Sequence, residues 1–240
     1  MSLMKDVVSL NNQGVSYLAR RDFPQAIDAL RQAIVLAKRS CRVLSANGAQ
    51  TSTKGNQVKE TSRRSPQELP KFLRKSNGSL NDDLGGFHSS GILLDYCSDL
   101  PEDAELTSAT VIFNMACAFH TKSIAQFGCQ EEMDKAKSLY MHVHQLVSGL
   151  IVRGNGGNNE VAATGNFAID FLYLAIVNNM AYAELDVFGD KTKSAALFQR
   201  LALFSLSCRE KCLGEETLLE WFLQNAVFAQ VGKLITAPAA

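Results

Sequence analysis

Net charge is missing from this chain. Its 24 lysines and arginines are matched by 24 aspartates and glutamates, so the field of the whole molecule gives no reason to expect nucleic acid as a ligand. A secretory signal is missing as well: the start, Met1-Ser-Leu-Met-Lys-Asp6, has no apolar core segment. No apolar run is clean enough to span a membrane. The longest, Phe167 to Leu185, contains Asp170, Asn178, Asn179 and Glu184, which are costly in lipid, and it reads as a buried helix. Six cysteines (Cys41, Cys97, Cys117, Cys129, Cys208 and Cys212) follow no regular framework. Reduced thiols in an intracellular compartment, cytoplasmic or nuclear, are therefore expected.

The patterns that carry chemistry are equally thin. Gly154-Asn-Gly-Gly157 is followed by no Lys-Ser/Thr and preceded by no strand, so it reads as a flexible connection and not a phosphate loop. Cys208 and Cys212 share one helical face, but a closed zinc site needs four ligands, and no second pair stands at a suitable spacing. His142 and His144 point to different sides of a helix. His88 lies in a stretch read below as unstructured, and His120, His142 and His144 stand in no distinctive serine or cysteine context, whereas proton-transfer catalysis needs a positioned pair. No catalytic residue, metal or cofactor is expected, and the chain does not read as an enzyme.

What is present is helical periodicity. With 46% hydrophobic residues in 240, the chain can bury a sizeable core. A first helix is predicted over 4–20 and a second over 24–43, with Pro24 near the start of the second, where a missing N–H costs nothing. Ala26, Ile27, Leu30, Ala33, Ile34 and Ala37 form its apolar stripe. Further pairs are predicted from Leu106 onward and over 131–148, then over 164–187 and 191–211, and a closing helix over 215–234. Between them, 45–90 is rich in Ser, Thr, Asn, Gly, Lys and Arg with no sustained period, and it reads as an unstructured insertion. The stretch Gly91-Ile-Leu-Leu-Asp-Tyr-Cys97 is apolar enough to lie against the helices as an extended segment or short strand.

The helices echo one another. Asn12-Gln-Gly14, Asn114-Met-Ala116 and Asn179-Met-Ala181 each place an asparagine two residues before a small residue, and Asn225-Ala-Val227 is a weaker copy. The first hairpin adds Tyr17 after Gly14, a turn at Asp22-Phe23-Pro24, and Ala26 and Ala33 on the second helix. These residues resemble the tetratricopeptide repeat, a helix–turn–helix unit of about 34 residues. Phe119 and Ala136 continue the pattern in the second copy, whereas Glu184 stands at the aromatic position of the third. The resemblance implies an all-α superhelix of antiparallel helix pairs with about seven helices: a first pair at 1–44, the insertion at 45–90, and two further pairs plus a closing helix at 91–240, folding as one domain with the first. Gly14, Tyr17, Ala26, Ala33, Ala116, Phe119, Ala136 and Ala181 would be its packing positions.

The family lines a concave groove with the first helix of each pair. By that resemblance the groove here falls to Asn11, Asn12, Val15, Phe113, Asn114, Cys117, Asn178, Asn179 and Tyr182. The carboxylate clamp that some members use on chaperone C-termini needs cationic residues where this chain has Asn11, Ala175 and Asn179. A chaperone C-terminal carboxylate is therefore not the expected ligand. The expected function is a non-catalytic scaffold or adaptor that docks a protein or peptide in the groove. Two alternatives stand beside it: a structural protein that self-assembles, and an RNA-associated repeat using the insertion. From Lys38 to Lys75, ten basic residues face only Glu60 and Glu68, giving +8. The insertion at 45–90 offers only Phe72 and Phe87 for base stacking, so nucleic acid is the weaker reading. Ser65, before Pro66, is a candidate phosphorylation site whose modification would change that charge.

Overall fold

A computed structural model describes residues 3–50, 73–75, 91–94, 101–157, 162–211 and 219–227. Over these residues the chain is all-α apart from two short strands. Six helices run in order: α1 (Leu3–Ala19), α2 (Phe23–Gln50), α3 (Pro101–Ala125), α4 (Gln130–Gly154), α5 (Phe167–Asp186) and α6 (Lys191–Lys211). A seventh, α7, covers 219–227, inside the closing helix expected at 215–234. Strands β1 (Leu73–Lys75) and β2 (Ile92–Leu94) pair antiparallel, with Arg74 opposite Leu93.

From α1 to α6 each helix packs on the next in sequence, and α1 and α5 also touch α3. That makes α3 the centre of the molecule. Val111, Phe113, Ala116, Cys117 and Ala118 are all fully buried on it, although they lie on different sides of the helix. A helix hydrophobic all round is one enclosed by neighbours, here α1, α2, α4, α5 and β2. The crossing of α1 on α2 depends on Gly14. A Cβ there would stand 2.6 Å from Leu30 Cγ and 3.3 Å from the Ala26 carbonyl oxygen.

Several boundaries differ from the sequence reading, each for a local reason. Helix α2 continues past Val43 and past the expected domain limit at 44, as far as Gln50. Residues Leu73–Lys75, inside the stretch read as unstructured, form β1 because β2 offers them a strand edge. The remainder of 51–90, including Ser65, lies outside the described residues. Helix α3 starts at Pro101 and not near Leu106: proline at the first position and Glu102, Asp103 and Glu105 in the opening turns suit a helix N-terminus. Helix α5 starts at Phe167, where Asn166 Oδ1 accepts the Ala168 N–H at 3.1 Å, a side-chain cap. Glu184, the departure at an aromatic repeat position, is explained by Lys137 of α4, which pairs with it at 2.7 Å on a side chain 8% exposed.

Candidate functional site

The asparagines of the first two helical copies converge on one short stretch of the chain's own backbone. On α1, Asn11 and Asn12 face β2; on α3, Asn114 does the same from the opposite wall. The Leu94 N–H donates to Asn12 Oδ1 at 2.8 Å, and Asn12 Nδ2 donates to the Leu94 carbonyl at 2.7 Å. Two residues earlier the arrangement repeats. The Ile92 N–H donates to Asn114 Oδ1 at 2.7 Å, and Asn114 Nδ2 returns a bond to the Ile92 carbonyl at 2.8 Å. Asn11 ties the two walls together: its Nδ2 donates to the Ile92 carbonyl at 3.1 Å and its Oδ1 accepts from Asn114 Nδ2 at 2.8 Å.

The pleat of a strand explains why two amides suffice. The N–H and C=O of residues i and i+2 point to the same edge, and those of i+1 point to the other. Ile92 and Leu94 therefore present their peptide groups to the asparagines, and Leu93 presents its own toward β1, where Arg74 stands. Each asparagine amide supplies one donor and one acceptor, as a residue of a neighbouring strand would. The side chains follow the same alternation. Ile92 and Leu94 are 0% exposed among the helices, while Leu93 is only half-buried. Gly91 completes the fit: a Cβ there would lie 2.7 Å from Val15 Cγ2 and 3.3 Å from Asn114 Oδ1.

Cys117 and Asn179, also expected to line the groove, belong to a second internal network. Asn179 Nδ2 donates to Tyr140 Oη at 3.2 Å, and Tyr140 Oη lies 3.6 Å from Cys117 Sγ and 3.3 Å from His120 Nδ1. Asn178 Oδ1 accepts from Asn225 Nδ2 of α7 at 3.2 Å, so the fourth copy of the echo is a helix-to-helix contact. Phe113 packs its ring on Tyr140, and Tyr182 meets Phe198 edge-on. Of the nine positions, Asn11, Val15, Phe113, Asn114, Cys117, Asn178 and Asn179 are buried, and only Asn12 and Tyr182 are half-buried. The packing positions Gly14, Ala26, Ala33, Ala116, Ala136 and Ala181 are buried too, while Tyr17 and Phe119 are half-buried. The sequence reading missed Gly91, Ile92 and Leu94 as occupants of the groove, and missed Tyr140 and His120 as members of the network.

Two titratable groups follow from this burial. Cys117 is fully enclosed, and burial pushes its thiol up to about 12, against the opposing hydrogen bonds from Tyr140 and Asn179. Thiolate is the reacting form, so alkylation of Cys117 at mildly alkaline pH should be on the order of a thousandfold slower in the folded chain than in denaturant. Mass spectrometry of iodoacetamide-treated protein reads this directly, and equal labelling in both states would contradict it. His144 of α4 sits 5.4 Å from the Tyr173 ring. Burial, with help from Arg200, lowers its pKa. The folded state thus keeps the imidazole neutral where the unfolded chain is already protonated. Stability is full above about pH 6.5 and falls as pH drops through that value. A urea titration series should show this loss, and His144→Phe should flatten it; an unchanged pH profile in that variant would assign the loss elsewhere.

Among the described residues, no group of three or more His, Cys, Asp or Glu side chains is arranged to hold a metal ion, and no helix is long and apolar enough to cross a membrane. At this site the asparagine amides bond to the peptide groups of the chain's own residues Ile92 and Leu94. Compared with family models, curated proteins and solved structures, the chain matches none.

Proposed function

We propose that this chain is an intracellular, non-catalytic interaction scaffold of tetratricopeptide-like construction, and that the groove between α1 and α3 binds an extended peptide by its main chain. The observation that carries this reading is the pair of two-way amide contacts made by Asn12 and Asn114 to Leu94 and Ile92. Such contacts read the backbone of any extended segment, as an added strand is read at a sheet edge, and leave selectivity to the side-chain pockets. A protein partner's segment would occupy the place where residues 91–94 now lie.

Selection of a displayed random-peptide library on the immobilised chain tests the proposal. Enriched peptides should bind Asn12→Ala at least about tenfold more weakly, the loss of two hydrogen bonds at a half-buried site. Asn12 is the better choice here than Asn114, because water can reach its position and the fold tolerates the change. Failure to enrich any peptide, or enrichment of peptides indifferent to Asn12→Ala, would overturn the groove assignment.

A further inference from the structure

Resting on that reading of the groove, we infer that its ligand is an extended segment of the form glycine–aliphatic–any residue–aliphatic, and that residues 91–94 act as a built-in competitor for it. Three observations define the form. The first position has no room for a Cβ, because one added at Gly91 would stand 2.7 Å from a Val15 methyl and 3.3 Å from Asn114 Oδ1. The second and fourth positions are occupied by Ile92 and Leu94, both fully enclosed. The third, Leu93, is half-buried and lies on the opposite face of the strand from Ile92 and Leu94, so its identity is the least constrained of the three. The peptide groups of the second and fourth positions meet Asn114 and Asn12, which fixes the register at two residues.

The competition follows from connectivity. Residues 91–94 belong to the same chain as both walls, 81 residues after Asn11 and 22 before Asn114 counted from Ile92. A tethered occupant is present at an effective concentration in the millimolar range. An external segment with the same contacts must exceed that concentration to replace it, so its apparent affinity is weakened by the fraction of chains whose groove is empty. A partner enters either at high local concentration or with contacts that residues 91–94 do not make.

The test uses a fluorescein-labelled peptide with the sequence of residues 89–96, read by anisotropy against the full chain. Gly91→Val in the protein lifts its own segment off Val15 and leaves both walls unaltered. This variant should bind the peptide at least about tenfold more tightly than wild type, and a peptide carrying Gly91→Val should bind neither protein. Equal affinity for wild type and variant, abolished by Asn12→Ala, would overturn the competition and leave the groove's role in place. Absence of binding to both proteins would overturn the ligand form and the groove reading together. A second measurement needs no variant: excess unlabelled peptide added to the wild-type chain should speed hydrogen exchange of the Ile92 and Leu94 amides. Unchanged exchange at saturating peptide would mean that the segment never leaves, and the inference would fall.

Discussion

Asn114→Ala should cost the fold about 2–6 kcal/mol, far more than removal of a side chain of its size from a surface. Its amide makes three bonds at once: it accepts from the Ile92 N–H and donates to the Ile92 carbonyl and to Asn11 Oδ1. Asn114, Asn11 and Ile92 are all fully buried, so no water takes over when the amide is removed. The Ile92 N–H and the Asn11 Oδ1 would each be left without the bond they make now, and stranded buried groups carry about 1–3 kcal/mol apiece. The Ile92 carbonyl would keep its bond from Asn11, which sets the upper bound. Asn12→Ala offers the contrast. That amide also makes two bonds to Leu94, but it is half-buried and water can replace it, so about 1–2 kcal/mol is expected. Urea midpoints for the two variants check both values. A loss below about 1 kcal/mol for Asn114→Ala would mean that the asparagine does not anchor the segment.

Gly14→Val should be comparably damaging, for a steric reason. A side chain at this point meets Leu30 at 2.6 and 2.9 Å and the Ala26 carbonyl oxygen at 3.3 Å. Leu30 is fully buried and cannot swing away into solvent, and Ala26 belongs to the backbone of α2. The helices must separate, and overpacking of a well-filled core costs about 1–3 kcal/mol for a methyl, with more for a branched side chain. Glycine is otherwise a poor helix residue, by about 1 kcal/mol relative to alanine. Gly149→Ala supplies the opposite sign. It stands within α4 with nothing near its added Cβ, so alanine there should stabilise by about 0.5–1 kcal/mol. If thermal melts moved both substitutions in the same direction, the close α1–α2 crossing would not be what selects Gly14.

The helices were legible because their apolar stripes repeat at helical spacing. The stripe from Ala26 to Ala37 identified α2, and α6 falls at 191–211 as expected. Helix ends were less legible where no stripe marks them. The last turns of α2, through Ser45-Ala-Asn-Gly, carry turn-forming residues, and nothing apolar in them signals a helix. The acidic stretch after Pro101 lies before the predicted start at Leu106, because no apolar stripe marks the opening turns of α3, where its carboxylates suit the helix's positive end.

The site was half legible. Asparagine before a small residue drew attention to Asn12, Asn114 and Asn179 as groove-lining positions, and the first two bond to the peptide groups of the chain's own Leu94 and Ile92. Periodicity could not say whose backbone, because Asn12 and Leu94 are 82 residues apart and no local pattern links them. The buried environment of Asn179 was beyond reach for a related reason. Its bond goes to Tyr140 of another helix, and only the assembled bundle brings the two together. Ser65 and the part of the basic stretch from 51 to 72 fall outside the described residues.

The most direct measurement of the central relationship, an extended segment held by asparagine amides, is residue-resolved hydrogen exchange on the unaltered chain. The Ile92 and Leu94 N–H groups each end on a buried or half-buried amide oxygen, and without added peptide their exchange should be slowed well below that of an unstructured chain. Exchange of both amides at the rate of an unstructured peptide would contradict it, and the groove between α1 and α3 would then be empty in solution.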